Sequence, residues 1–210
     1  MNEDLSKSWF SIDGRLEKIK FTGENDFRYP KRLAEIVIKK YSRRGDWILD
    51  PFAGFGTTLK TAQILGRKAM GFELDKERAD FAAIGLKKPT RIIYDRIENL
   101  NKYKLPKFDL VFTSPPYVTV NLKDDPWGEN YFKDMKTIFT QIKKVLKPNA
   151  TLVIEVSNIR TKDGIRPLAW QFGKLLSTIY QFQGEIIRCN ESNALAGPGF
   201  NHSYLLIYKI

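Results

Sequence analysis

The sequence predicts a doubly wound α/β fold in which a mostly parallel sheet of about seven strands carries helices on both faces. Short apolar runs alternate with helical patterns along the chain, which is typical of this fold class. The last two apolar runs are joined without a helix, which predicts an antiparallel hairpin at the C-terminal edge of the sheet. The predicted strands lie at 47–49, 69–72, 90–94, 108–112, 152–156, 186–187 and 204–208.

Apolar residues spaced three or four apart predict a helix in each interval between strands. The first begins at Pro30, because the proline ring suits a first helical turn, and Gly45 ends it. The second follows a glycine-bearing loop at 52–58 and is capped by Gly66, and Asp75 begins the third. The two later helices are predicted at 131–146, stopped by Pro148, and at 167–180.

Length and composition indicate one domain over residues 1–210 that begins with an arm at 1–26. The net charge of +11 favours a polyanionic partner, nucleic acid before a membrane surface. The N-terminus lacks the pattern of a signal peptide and no apolar run is long enough for a transmembrane helix, so a cytoplasmic protein is expected. Cys189 and His202 stand alone, which excludes an intrachain disulfide and predicts that there is no metal site.

Distinctive residues follow four of the predicted strands. In open α/β sheets ligands bind at the carboxyl ends of the strands. These strand ends carry Asp50, Glu73, Asp95 and the segment 114–117. We therefore expect all four to lie along one edge of the sheet.

The loop after Asp50 predicts a nucleotide-like ligand of particular charge. Gly54-x-Gly56 allows close backbone approach, but the third glycine of a dinucleotide fingerprint and the lysine of a P-loop are missing. Asp50 would repel phosphate and attract an amine or a sulfonium, Glu73 suits ribose hydroxyls, and Asp95 suits an adenine amine. This combination favours S-adenosylmethionine over NAD or ATP; the alternative is that these acids only cap helices.

The segment 113–117, Thr-Ser-Pro-Pro-Tyr, predicts a rigid corner after a buried strand. Two successive prolines cannot continue a strand ladder, and each restricts the residue before it. The corner presents a hydroxyl, outward carbonyls and one flat ring. Such a corner could hold a planar group with an amine on its edge.

Together, the segment 50–58 (DPFAGFGTT) and the TSPPY corner resemble the amino-methyltransferases of DNA. Residues 27–32 (FRYPKR) are similar to the methionine-side motif of that family, which usually has His where Phe27 stands. Residues 71–75 (GFELD) resemble its ribose motif, and residues 201–205 (NHSYL) resemble its C-terminal strand. The resemblance runs from about residue 27 to the end of the sequence.

The resemblance implies a Rossmann-like class I methyltransferase sheet and methyl transfer from S-adenosylmethionine to the N4 amine of cytosine in a flipped DNA base. The TSPPY form is similar to the N4-cytosine branch, whereas DPPY or NPPY is commoner in the N6-adenine branch. The implied catalytic residues are Ser114, Pro115, Pro116 and Tyr117. The implied cofactor-binding residues are Tyr29, Pro30, Asp50, Phe52, Gly54, Gly56, Thr57, Thr58, Glu73, Asp95 and Thr113.

Several alternatives stay open at this stage. The same site could methylate adenine N6 or an RNA base, and a non-enzymatic nucleic-acid binder could retain the fold. Cys189 lacks the neighbouring proline usual for a C5-cytosine nucleophile, so we interpret it as structural, and His202 could close the base pocket or only pack.

DNA is the expected partner, through basic faces and through loops 118–130, which includes Trp127, and 191–201. No separate target-recognition domain is expected in this sequence. A homodimer, a separate specificity partner and a cognate restriction enzyme therefore remain open, whereas association with the nucleoid is expected of a protein that binds DNA.

Overall fold

The computed structural model describes residues 7–19, 21, 28–117, 130–191 and 195–210. Within these ranges the chain forms an α/β sandwich with a mixed sheet of eight strands. The strands of that sheet are β1 (Trp9–Ile12), β2 (Trp47–Asp50), β3 (Lys68–Glu73), β4 (Arg91–Tyr94), β5 (Phe108–Thr113), β6 (Leu146–Val156), β9 (Gln181–Asn190) and β10 (His202–Lys209), and a separate hairpin consists of β7 (Ile159–Thr161) and β8 (Gly164–Arg166). The helices are α1 (Lys31–Tyr41), α2 (Thr57–Ile64), α3 (Lys76–Ala83), α4 (Tyr131–Lys143) and α5 (Leu168–Leu176), with a 3₁₀ helix at Ile97–Lys102.

The strand order is β1-β9-β10-β6-β5-β2-β3-β4. Strands β4, β3, β2, β5 and β6 are mutually parallel, and β10 is antiparallel to both of its neighbours. The chain winds outwards from β2 towards β4 and, separately, from β5 through β6. The direction of winding therefore reverses between β2 and β5, which is where open α/β sheets bind their ligands.

Both faces of the sheet are covered by amphipathic helices. Helix α1 buries Leu33 and Val37 on one face, together with α2. Helix α4 buries Met135 and Phe139 on the other, together with α5. The central strand β5 is apolar at consecutive positions because it is covered on both sides.

The predicted doubly wound sheet is confirmed, with two corrections. The arm at 1–26 contributes a strand, because β1 pairs in parallel with β9 in the register Trp9↔Ile187. The sheet therefore has eight strands among the described residues instead of about seven, and β1 rather than the β9–β10 hairpin forms that edge.

Several boundaries also differ from the sequence-based expectation. Helix α1 ends at Tyr41, where the Ser42 hydroxyl donates to the Ile38 carbonyl, and not at Gly45. Helix α4 ends at Lys143, ahead of Pro148, because Leu146 already pairs with Phe108 at the start of β6. The N-cap role of Asp75 is confirmed, since its carboxylate accepts from the Arg78 amide at 2.8 Å.

Gly71 in β3 allows the loop after β2 to pack closely against the sheet. A Cβ at this position would lie 2.7 Å from the Ala53 Cβ and 2.9 Å from a Leu59 methyl. We therefore expect Gly71→Ala to destabilise the fold by about 1–3 kcal/mol through overpacking. Urea unfolding followed by circular dichroism measures this loss.

The matched control is Gly173→Ala in α5. There an added Cβ would have no heavy atom within 4 Å apart from its chain neighbours and the backbone of its own helix. It should leave the free energy of unfolding unchanged or raise it by up to about 1 kcal/mol, because alanine has the higher helix propensity. Equal losses in the two variants would contradict the close packing at Gly71.

Candidate active site

The parallel strands bring the predicted site residues to one edge of the sheet. Strands β2, β3 and β5 end at Asp50, Glu73 and Thr113, and Asp95 directly follows β4. Because β2 and β5 are neighbours, the glycine loop and the TSPPY corner lie side by side at the point where the winding reverses.

The carboxylate of Asp50 joins these two segments. Asp50 is only 2% exposed. Its Oδ1 accepts from Thr113 Oγ1 at 2.6 Å and from the Phe52 amide at 3.2 Å. Its Oδ2 accepts from Thr58 Oγ1, which also hydrogen-bonds to the Tyr29 hydroxyl. Three segments that are distant in sequence, at Tyr29, at 50–58 and at Thr113, are thus joined around a single carboxylate.

Burial dominates the ionisation of Asp50. Loss of solvation raises its pKa to about 6, although the Thr113 and Thr58 hydroxyls and the Phe52 amide favour the charged form. The same interior raises the pKa of Tyr29, mainly through desolvation and then through the charge of Asp50. Tyr29 therefore stays a neutral phenol.

The glycine loop is fastened to the neighbouring strand. The Gly54 amide donates to Glu73 Oε2 at 2.7 Å, and the Ala53 amide donates to the Phe72 carbonyl at 2.9 Å. Gly54 and Gly56 have φ of 51° and 79°, left-handed conformations that favour glycine. The loop therefore turns sharply into α2, which begins at Thr57.

The Glu73 carboxylate accepts a second hydrogen bond, which the Asp75 amide donates to Oε1 at 3.0 Å. Burial raises the pKa of its carboxyl group. Each carboxylate oxygen has two lone pairs, so Glu73 can still accept from the hydroxyls of a ligand.

The predicted residues Phe52 and Pro30 have visible structural roles. The half-buried ring of Phe52 packs edge-on against Phe139 of α4, which anchors the loop to the core. Pro30 is the N-cap residue of α1, and its carbonyl accepts from the Leu33 amide at 2.9 Å.

Asp95 lies beside Glu73, since its amide donates to the Glu73 carbonyl at 3.2 Å. Its carboxylate accepts from the Tyr103 hydroxyl and the Asn99 side chain, both at 2.7 Å. These bonds lower the pKa of Asp95. The carboxylate therefore organises the 3₁₀ helix that follows β4.

The TSPPY corner is held by contacts on both sides. Pro115 is buried, whereas Ser114 and Tyr117 are half-buried. The Pro116 carbonyl accepts from the Tyr131 hydroxyl at 2.6 Å. The Tyr117 ring packs on the core beneath α4 and α5, and burial raises the pKa of its hydroxyl, which interacts with the Ser114 side chain and the Ser157 backbone.

A buried ion pair next to the corner was not predicted. Glu155 in β6 and Arg188 in β9 are 3% and 1% exposed, and Arg188 Nη2 lies 3.8 Å from Glu155 Oε1. Arg188 also donates to Ser203 Oγ at 3.1 Å and to the Ala196 carbonyl at 3.3 Å. The charge of Glu155 helps to raise the pKa of Tyr117, so the pair is electrostatically coupled to the corner. The available signal in the sequence was a charge inside each of two apolar runs.

The other single residues have packing contacts. The half-buried ring of His202 lies between Phe200 and Tyr204, and Cys189 is a free, half-buried thiol in β9.

Some residues singled out from the sequence lie outside the described part of the chain: Phe27, the segment 118–129 with Trp127, and residues 192–194. Among the residues that are described, we find no group of three metal-ligating side chains and no helix long and apolar enough to cross a membrane.

A family model described as DNA methylase, for N6 and N4 enzymes, matches residues 2–84 and 108–209. The chain belongs to this family. It is 38% identical over 81 residues to the type II methyltransferase M.MthZI of Methanothermobacter thermautotrophicus, a match that covers 38% of this chain and 23% of that protein. It is 40% identical over 92 residues to the orphan methyltransferase M.BamHII of Bacillus amyloliquefaciens, covering 44% of this chain and 33% of that protein. The matches thus span a third or less of the length of these curated relatives.

Solved structures confirm the Rossmann-like methyltransferase fold. An rRNA methylase from Streptococcus thermophilus superposes with a TM-score of 0.57 at 15% identity, covering 87% of this chain and 97% of that one. Magnesium protoporphyrin IX methyltransferase from Synechocystis, solved with bound SAM, gives a TM-score of 0.56 at 11% identity, covering 85% and 78%.

The raised pKa of Asp50 predicts a pH-dependent stability. The ordinary value near 3.8 applies to the unfolded chain, so the folded protein binds more protons between pH 4 and pH 6. Stability of the wild type relative to Asp50→Asn should therefore fall by about 2 kcal/mol as pH rises from 4 to 6, and level off above about pH 7. Urea unfolding of both proteins across this range measures the difference.

Asp80→Asn serves as the control, because the Asp80 side chain is 67% exposed beside Lys76. It shows how the loss of an exposed carboxylate affects stability over the same range. A pH-independent difference for Asp50→Asn would show that the buried carboxyl titrates normally.

Proposed function

We propose that this chain transfers a methyl group from S-adenosylmethionine to the exocyclic N4 amine of cytosine in DNA. The observation that carries the proposal is the Asp50 carboxylate, which fastens the glycine loop and the TSPPY corner to each other. A cofactor on the loop and an amine at the corner would then be neighbours. Membership of the DNA methylase family supports methyl transfer to a base amine.

The residues at the glycine loop fit this cofactor. An added Cβ on Gly54 would have no heavy atom within 4 Å apart from its two chain neighbours, so the loop has room for a ligand against its backbone. We assign Glu73 to the ribose hydroxyls, Asp95 to the adenine side, and the loop with Thr57 and Pro30 to the remainder. When bound, S-adenosylmethionine supplies an electrophilic methyl group on a sulfonium.

Asp50 acts on this ligand through its charge, because its oxygens are buried and already accept hydrogen bonds from Thr113, Thr58 and Phe52. A carboxylate in a poorly solvated interior favours a nearby cation more strongly than it would in water. It also fixes the Thr58 and Tyr29 hydroxyls on the methionine side of the loop.

Ser114 and Pro115 are the groups that we assign to the target amine. The amine of a base is a poor nucleophile because its lone pair is delocalised into the ring. Hydrogen bonds from the amine to Ser114 Oγ and the Pro115 carbonyl would localise that lone pair. The Pro116 carbonyl is already engaged by Tyr131, so it serves to set the corner in place.

Tyr117 would stack on the flipped base, an interaction worth about 1–3 kcal/mol per base. Its hydroxyl is held on the inner side by Ser114 and Ser157. A strong general base is not required, because the amine proton becomes acidic once the nitrogen is alkylated. Positioning of the two reactants then supplies much of the rate.

Ser114 provides the direct test. Ser114→Ala should retain cofactor binding by calorimetry and lose about 100-fold or more of turnover, since it removes an acceptor aimed at the reacting amine. Turnover is measured as label transferred from S-adenosylmethionine to unmethylated plasmid DNA, followed by mass spectrometry of the nucleosides.

The control is Ser177→Ala at the end of α5, where the hydroxyl donates to the Gly173 carbonyl at 2.7 Å far from the corner. It should keep wild-type turnover. Unchanged turnover in Ser114→Ala would remove the assigned role. Methylated adenine or methylated RNA in place of N4-methylcytosine would show that the methyl acceptor is a different base. A lack of any heat or stabilisation on addition of the cofactor would indicate a nucleic-acid-binding protein without activity.

A further inference from the structure

The β7–β8 hairpin stands at the same edge of the sheet as the TSPPY corner. It directly follows β6, the parallel neighbour of β5, and so leaves the sheet beside the corner. Its register is Ile159↔Arg166, Arg160↔Ile165 and Thr161↔Gly164. The hairpin lies outside both loops that were expected from the sequence to contact DNA, 118–130 and 191–201.

The base of the hairpin is anchored on both sides. Ile159 is buried in the same core cluster against which Tyr117 packs. The Asn158 side chain accepts from the Ala169 amide at 3.0 Å, which ties the base to the start of α5. The hairpin therefore has a fixed place relative to the corner.

A tight turn at 197–200 connects the hairpin to Tyr117. The Arg160 amide donates to the Pro198 carbonyl at 3.0 Å, and the Arg160 guanidinium lies 4.9 Å from the centroid of the Phe200 ring. At the other end of the turn, a Cβ on Gly197 would lie 3.1 Å from the Tyr117 hydroxyl. The turn therefore packs against both the hairpin and Tyr117 of the corner.

The outer part of the hairpin combines positive charge with an exposed apolar side chain. Lys162 and Arg166 are exposed, and Asp163 supplies one opposing charge. Ile165 is 56% exposed and is the cross-strand partner of Arg160, so these two side chains share a face. The strand β8 is exposed at all three positions.

We propose that the β7–β8 hairpin is a contact surface for duplex DNA next to the target base. This inference rests on the proposed function, because a base amine at the corner must come from a duplex that passes this edge. Lys162 and Arg160 supply charge to the phosphates, and Ile165 packs against the sugar or base edges exposed when the base leaves the stack. Basic side chains flanking an apolar residue are how proteins commonly hold and distort a duplex.

Charge reversal at the hairpin tip tests the electrostatic part. Lys162→Glu should weaken binding to a mixed-sequence DNA duplex about tenfold at 0.1 M salt, and should reduce the slope of log K against log salt by about one or more. Fluorescence anisotropy measures both without any need for methyl transfer. The control is Lys87→Glu, an exposed site just before β4 at the opposite edge of the sheet, and it should leave affinity and slope unchanged.

Removal of the apolar group tests the second part. Ile165→Ser should weaken binding several-fold with the salt slope unchanged, because an apolar contact releases no counterions. Thermal melting of each variant checks that the fold is intact. The proposed DNA contact surface would be rejected if folded hairpin variants bind DNA like the wild type. It would also be rejected if Lys87→Glu loses as much affinity as Lys162→Glu. Hairpin-dependent binding by a protein that methylates no DNA would uphold this inference and reject the proposed function, so the two failures are distinguishable.

Discussion

The buried carboxylate of Asp50 is the interaction on which the candidate site depends. A carboxyl group in an interior of low polarity is unfavourable when charged, and three hydrogen bonds from Thr113, Thr58 and the Phe52 amide offset part of that cost. Each donor belongs to a different part of the site: the end of β5, the start of α2 and the glycine loop. Loss of the carboxylate would leave these donors unpaired and release the loop from the corner.

A second buried carboxylate completes this arrangement from the other side. Glu155, paired with Arg188 across β10, adds to the charge of Asp50 in raising the pKa of Tyr29, and it acts on Tyr117 as well. Burial is the main reason that the pKa of each phenol is raised, these charges add to it, and both phenols serve as neutral hydrogen-bonding hydroxyls. Breaking such a buried pair by removing one partner typically costs about 3–5 kcal/mol. The loss of either partner would therefore leave a buried charge unpaired in the core that packs against the corner.

The parts of this architecture that sequence could predict are those with strong local signals. The strand ends were readable because Asp50-Pro51 and the pair Pro115-Pro116 stop apolar runs abruptly. Strand β1 was not readable, because its pairing with β9 joins residues at opposite ends of the chain and depends on no local pattern. The strands β7 and β8 have only three residues each, and the approach of Glu155 to Arg188 is set by the tertiary order of the sheet. The residue types at the strand ends indicate S-adenosylmethionine, and the DNA base amine is implied by the resemblance of two motifs to a known family, whereas the supporting interactions depend on the tertiary fold.

The sheet order also separates charge along the carboxyl edge, and this separation bears on how two different ligands would meet. The strands β2, β3 and β4 end in the acidic residues Asp50, Glu73 and Asp95, which suit a cationic small molecule, and the basic residues Arg78 and Arg96 lie beside the last two. The half beyond β5 presents the hairpin with Arg160 and Lys162, which has the opposite preference. The corner lies at the boundary, where the winding of the sheet reverses. In the proposed function, a cationic methyl donor on the side of the acidic strand ends and a polyanionic acceptor on the side of the hairpin would meet at the TSPPY corner, so the reversal point of the fold would also be the place of transfer.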